Sequence, residues 1–101
     1  MSAANTPRSA ARSIDATGSF SRTAGGQIVV EARHRAFVAR ALHPMARVGS
    51  TPVVGLRCSG GVLRGLVLGT PGPGDELVVR YPPEPELRTG IAFELRGPNV
   101  A

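Results

Sequence analysis

The side chains best placed for chemistry in this sequence are arginines. Arg33, His34 and Arg35 stand together, with Arg40 and Arg47 a short way on. A guanidinium is planar and permanently charged. Its fork donates two parallel hydrogen bonds to a phosphate, grips the O6/N7 edge of guanine, or stacks on a base. A cluster of such forks beside a β surface makes an anion or nucleotide site. The plainer reading is a solvated basic edge whose charges blunt an exposed strand. Residues 1–50 hold seven Arg against Asp15 and Glu31, while residues 51–101 hold five Arg against five acids. The net +5 therefore lies entirely in the first half, and anionic partners are drawn there. All twelve basic residues are Arg, which a GC-rich coding genome alone would also give. Single-stranded nucleic acid calls for aromatic residues interleaved with the basic ones, and only Phe37 is available.

Catalytic combinations are poor. Cys58 with His34 or His43 is the one thiol–imidazole pairing available. Cys58, however, falls where a strand should present its apolar face, and there cysteine acts as a small hydrophobe. Two His and one Cys without close spacing do not make a zinc signature. Asp75-Glu76 and the Glu84/Glu86 pair flank loops and read as solvated surface. Gly72-Pro73-Gly74 lacks the Lys-Ser/Thr of a phosphate-cradling loop and reads as a turn. The expectation is a binding module that is not an enzyme and needs no cofactor.

The elements that would hold these residues read mainly as strands. Residues 1–25 have no hydrophobic period and few large apolar groups, so they are expected to form a disordered tail. Arg8, Arg12 and Arg22 among Ser and Ala also suit an organellar transit peptide, the less simple of the two readings. Gly25-Gly26 opens a small β domain expected over residues 26–98. Gln27 to Glu31 is a β-branched run. Ala32 to Arg47 is ambiguous between helix and strand, and we read it as extended through Leu42 with a turn at His43-Pro44. Val53 to Cys58 alternates, which places Val54, Leu56 and Cys58 on one face. Ser59-Gly60-Gly61 has hairpin chemistry, and Val62 to Leu68 runs back as the second strand. Gly69 to Asp75 is loop; Leu77 to Tyr81 and Ile91 to Leu95 alternate as further strands. The fold class is mainly β, a small antiparallel barrel or sandwich.

About 75 residues make only a marginal core, and the four aromatics are Phe20, Phe37, Tyr81 and Phe93. Self-association into a homo-oligomer is a reasonable expectation. A lone cysteine forms no intramolecular disulfide, and no apolar run approaches the roughly 20 residues of a membrane span. A cytoplasmic location is the default reading.

The order of features resembles the PilZ family of cyclic di-GMP-binding β-barrels. That family shows an Arg cluster before its first barrel strand, a D/N-x-S-x-x-G turn, a Gly-Asp strand start and a closing Gly-x-x-Phe. Here stand Arg33-His34-Arg35 through Arg40, then Arg57-Cys58-Ser59-Gly60-Gly61, Gly74-Asp75-Glu76-Leu77 and Gly90-Ile91-Ala92-Phe93, over roughly residues 31–96. Arg35 to Arg40 is one residue longer than the family's R-x-x-x-R. Arg57 stands where the family has Asp or Asn, and Arg accepts no hydrogen bond. The resemblance implies a barrel whose anionic ligand, a cyclic dinucleotide, meets Arg33, Arg35 and Arg40, with Ser59 and Gly60 as backbone contacts. Two rival expectations are a basic nucleic-acid-binding β domain and a structural or assembly protein completed by a protein partner.

Overall fold

The structure is a computed structural model that describes residues 11–40 and 43–95. It is all-β among those residues. Eight strands form one sheet: β1 Arg12–Ser13, β2 Thr17–Arg22, β3 Ile28–Arg33, β4 Met45–Val48, β5 Thr51–Ser59, β6 Val62–Val67, β7 Glu76–Arg80 and β8 Leu87–Ala92. Their order is β1-β8-β7-β4-β5-β6-β3-β2, antiparallel throughout except for the parallel β1–β8 pair. No helix among the described residues is long and apolar enough to cross a membrane.

The two ends of that order belong to one stretch of chain. Arg12 and Ile14 donate their N–H groups to the carbonyls of Glu86 and Arg88, at 2.8 and 2.9 Å. Three residues separate β1 from β2, which then pairs with β3 from Thr17↔Arg33 to Arg22↔Ile28. The sheet thus curls until its edges meet, and a parallel bridge between Phe20 and Leu95 marks the join. Gly18 sits where the segment crosses over. A Cβ there would overlap the Glu31 carbonyl and the Ala32 backbone, so only glycine lets the strands approach.

This corrects the expectation of disorder through residue 25. Residues 11–25 carry one large buried side chain, Phe20, but its ring meets Phe93 edge-to-face at 5.1 Å, and the backbone pairs with β3 over six residues. Tertiary partners supply what the local sequence lacks. The part of that expectation covering residues 1–10 lies outside the described residues. Strand structure is accordingly already present at Arg12, ahead of residue 26.

The core lies inside the curl: Phe20, Val30, Phe37, Leu63, Leu77, Val79 and Tyr81 are all but fully buried. Buried Thr89 fits there because its hydroxyl donates to the Leu77 carbonyl at 2.7 Å. The β5–β6 hairpin turns at Gly60 and Gly61, with φ of 59° and 84°, as a two-residue turn with positive φ at both positions demands.

Several local expectations change. Strand structure does not continue to Leu42: β3 ends at Arg33, residues 34–40 form an anchored loop, and Leu42 lies outside the described residues. The unforeseen β4 follows Pro44 directly. In β5 a bulge between Val54 and Arg57 breaks the alternation, so Val53 and Cys58 are buried while Val54 is exposed. Finally, Leu77, Val78 and Val79 are all buried, and β8 starts at Leu87 rather than Ile91. Val78 points outward, between its cross-strand neighbours Arg47 and Arg88, whose aliphatic stems can cover it.

Candidate cationic groove

Where the N-terminal segment leaves β8 for β3, the barrel wall opens between β1 and the loop of residues 34–40. That loop is held from several directions. His34 donates its N–H to the Gly61 carbonyl, and Gly61 donates to the Phe37 carbonyl, both at 2.9 Å. His34 Nδ1 accepts the Ala36 N–H at 3.0 Å. Phe37 plugs the core. The Tyr81 hydroxyl donates to the Val38 carbonyl at 2.9 Å and accepts the Val38 N–H at 3.1 Å.

The result is a cavity of about 420 Å³ lined by Arg12, Ser13, His34, Arg35, Arg40, Tyr81 and Glu84, among others. Such a volume falls within the roughly 300–1,000 Å³ of small-molecule clefts. Three arginines, one from β1 and two from the 34–40 loop, line it together with one acid, Glu84. Arg40 is fixed twice, donating to Glu84 Oε2 at 2.9 Å and lying 4.4 Å from the centre of the Tyr81 ring. Arg12 and Arg35 have no acidic partner within 4.0 Å among the described residues. Since Arg12 and Ile14 spend their N–H groups on β8, strand alternation turns the Ser13 N–H and C=O away from β8, toward the groove side.

Of the expected contacts, the groove gathers Arg35 and Arg40 and leaves the others out. Arg33 is on the outer surface, 3.6 Å from Glu31. Ser59 ends β5 and Gly60 opens the hairpin turn, whose Gly61 braces the loop; neither Ser59 nor Gly60 lines the cavity. Arg12, Ser13 and Tyr81 were missed. Arg12 and Ser13 lay in a stretch without periodicity, and nothing local to Tyr81 announces a partner 43 residues away.

Cys58 is buried, and burial raises its thiol pKa, offset in part by a hydrogen bond with Tyr81. Burial and the Cys58 thiol together hold the Tyr81 phenol well above its ordinary range. Both groups are neutral at physiological pH, and the polar neighbour of Cys58 is that phenol. The thiol–imidazole pairing therefore does not form: His34 turns its Nδ1 to Ala36, and His43 is exposed ahead of β4. Among the described residues no three His, Cys, Asp or Glu side chains gather as a metal set.

The fold and groove define a class: a small all-β domain with an arginine-lined cleft at the seam of its sheet. No family model, curated protein or solved structure matches the chain.

Proposed function

We propose that the chain is a non-catalytic binding module, PilZ-like in type, whose groove takes a phosphate-bearing ligand of nucleotide size such as a cyclic dinucleotide. The observation that carries this reading is the convergence of Arg12, Arg35 and Arg40 on one concave wall, two of them without acidic partners among the described residues. Arg40, held over the Tyr81 ring, can offer its outer face to a base, while Arg12 and Arg35 are available to phosphate oxygens. The Ser13 backbone adds a donor and an acceptor for a base edge.

Besides the Arg35–Arg40 spacing and Arg57, the reading departs from the PilZ pattern in which residues line the cleft. Arg33 and the Ser59-Gly60 tip lie away from the cleft, and Arg12 takes the place of the third arginine. Titration with cyclic di-GMP, with GMP as the comparison, tests it. Amide NMR signals of residues 12–14, 34–40 and 81 should shift, and Arg12→Ala and Arg35→Ala should each weaken binding about tenfold. Unmoved signals at high micromolar ligand would remove the nucleotide claim.

A further inference from the structure

The outward face of β4, β5 and β6 carries apolar side chains that a small monomeric domain has no reason to present together. Met45 is 60% exposed, Leu68 52% and Val54 38%. Register places them side by side. Ala46 faces Val53, so Met45 stands opposite Val54, and Val54 in turn faces Leu66. Leu68 donates its N–H to the Pro52 carbonyl at 2.9 Å and extends the strip along β5. The β5 bulge is what turns Val54 outward, so the strip depends on Gly55 holding φ at 62°.

Arginines border this strip. Arg57 and Arg64 lie directly opposite each other on neighbouring strands, an arrangement in which like charges repel. Arg80 is the cross-strand neighbour of Met45. None of the three has an acidic partner within 4.0 Å among the described residues. Of the nearby acids, Glu31 is the cross-strand neighbour of Arg64 but lies nearest Arg33, at 3.6 Å, and Glu86 is hydrogen-bonded to Arg47. At the β4 end the face is indented by a cavity of about 370 Å³, walled by Met45, Pro52 and Val78 and rimmed by Arg80 and the paired Arg47 and Glu86.

We infer that this face docks an acidic, amphipathic segment of another protein, with its apolar side chains over Leu68, Val54 and Met45 and its carboxylates on Arg57, Arg64 and Arg80. Charge complementarity selects the occupant. A second copy of the same face would bring its own unpaired guanidiniums against these, on a chain already carrying +5. A lipid surface would meet the arginines but leave the indentation unfilled, whereas an anchoring side chain fits it. The surface is separate from the groove, so either can fail without the other.

The test uses the full chain and a fluorescent synthetic peptide, with Leu at i, i+3, i+4 and i+7 and Glu on the flanking positions. Micromolar binding is expected, weaker with added salt and about tenfold weaker for Arg57→Glu/Arg64→Glu. Met45→Ser/Leu68→Ser, which changes only exposed side chains, should weaken it to a similar degree. Melting curves check that both variants fold. In both, the cyclic di-GMP shifts should persist. The inference is overturned by equal binding of a scrambled peptide, by binding indifferent to both double variants, or by no binding at millimolar peptide. It is equally overturned if vesicles of phosphatidylcholine with one-quarter phosphatidylglycerol bind where the peptide does not. A dimer abolished by Met45→Ser/Leu68→Ser would overturn it as well.

Discussion

The groove and the outer face of β4–β6 are both rich in arginine, yet the scaffold uses the residue in opposite ways. In the groove, guanidiniums reach a concave wall from β1, from the 34–40 loop and from its far end, and Arg40 is locked by Glu84 and Tyr81. On the outer face, Arg57 and Arg64 stand on adjacent strands of one hairpin, opposed and unlocked, beside exposed Val54 and Met45. In the first, Arg40 is preorganised for a small ligand, because its loss of side-chain freedom has already been met during folding, and the concave wall gathers Arg12 and Arg35 beside it. The second suits a broad partner that supplies its own carboxylates. Arginine count alone distinguishes neither; the elements beneath the side chains do.

The contrast can be broken most severely at the seam. Phe20→Ala removes a fully buried ring packed on Phe93 and should cost about 3–5 kcal/mol, read by urea denaturation. If the N-terminal segment contributes little, the loss will be near zero, and the groove loses its β1 wall as a fixed feature. Tyr81→Phe comes next. It leaves the Val38 C=O without its donor and the Val38 N–H with only the Ala36 carbonyl, and should cost about 1–3 kcal/mol, with faster amide hydrogen exchange at Val38 and weaker ligand binding. The outer face should be indifferent to that change, and peptide binding should stay as it was.

Gly55→Ala sharpens the comparison from the other side. At φ 62° an alanine is strained, and about 1 kcal/mol of stability should be lost while the groove keeps its affinity. A loss of groove binding in this variant would show that the two surfaces are coupled. The smallest effect is the pH dependence of the two buried hydroxyl and thiol groups. Burial raises both pKa values in the folded state, so the stabilisation is whole below the unfolded-state values of 9.0 and 10.0 and is lost as pH rises beyond them. Urea midpoints should fall above about pH 9, and less steeply in Cys58→Ala. A flat profile would mean that Cys58 and Tyr81 ionise as freely in the folded chain as in the unfolded one.

Much of the sheet was legible because its signals are local. Gly60-Gly61 between two β-branched runs can hardly be anything but a tight hairpin, and the Gly/Pro density of residues 69–75 forbids a ladder. The N-terminal strand was illegible for the converse reason. Thr17 to Arg22 holds one large apolar residue, and its order comes from β3 and Phe93, whose positions no local window reveals. The β5 bulge hid in the same way: alternation put Val54 inside, and one glycine in a left-handed conformation put it outside. As for the groove, Arg35 and Arg40 declare themselves by clustering. Arg12 joins them only through hydrogen bonds to a strand more than seventy residues further on, a convergence that spacing along the chain does not encode.

That long reach has a consequence for when the protein becomes competent. Arg12 is made well before its backbone partner Glu86, which follows it in the chain by 74 residues. β1 must therefore wait, and zips the two free margins of the sheet together only once β8 has been made. Ligand capture at the cleft would then report completion: a chain halted before β8 would have its loop arginines but no opposite wall.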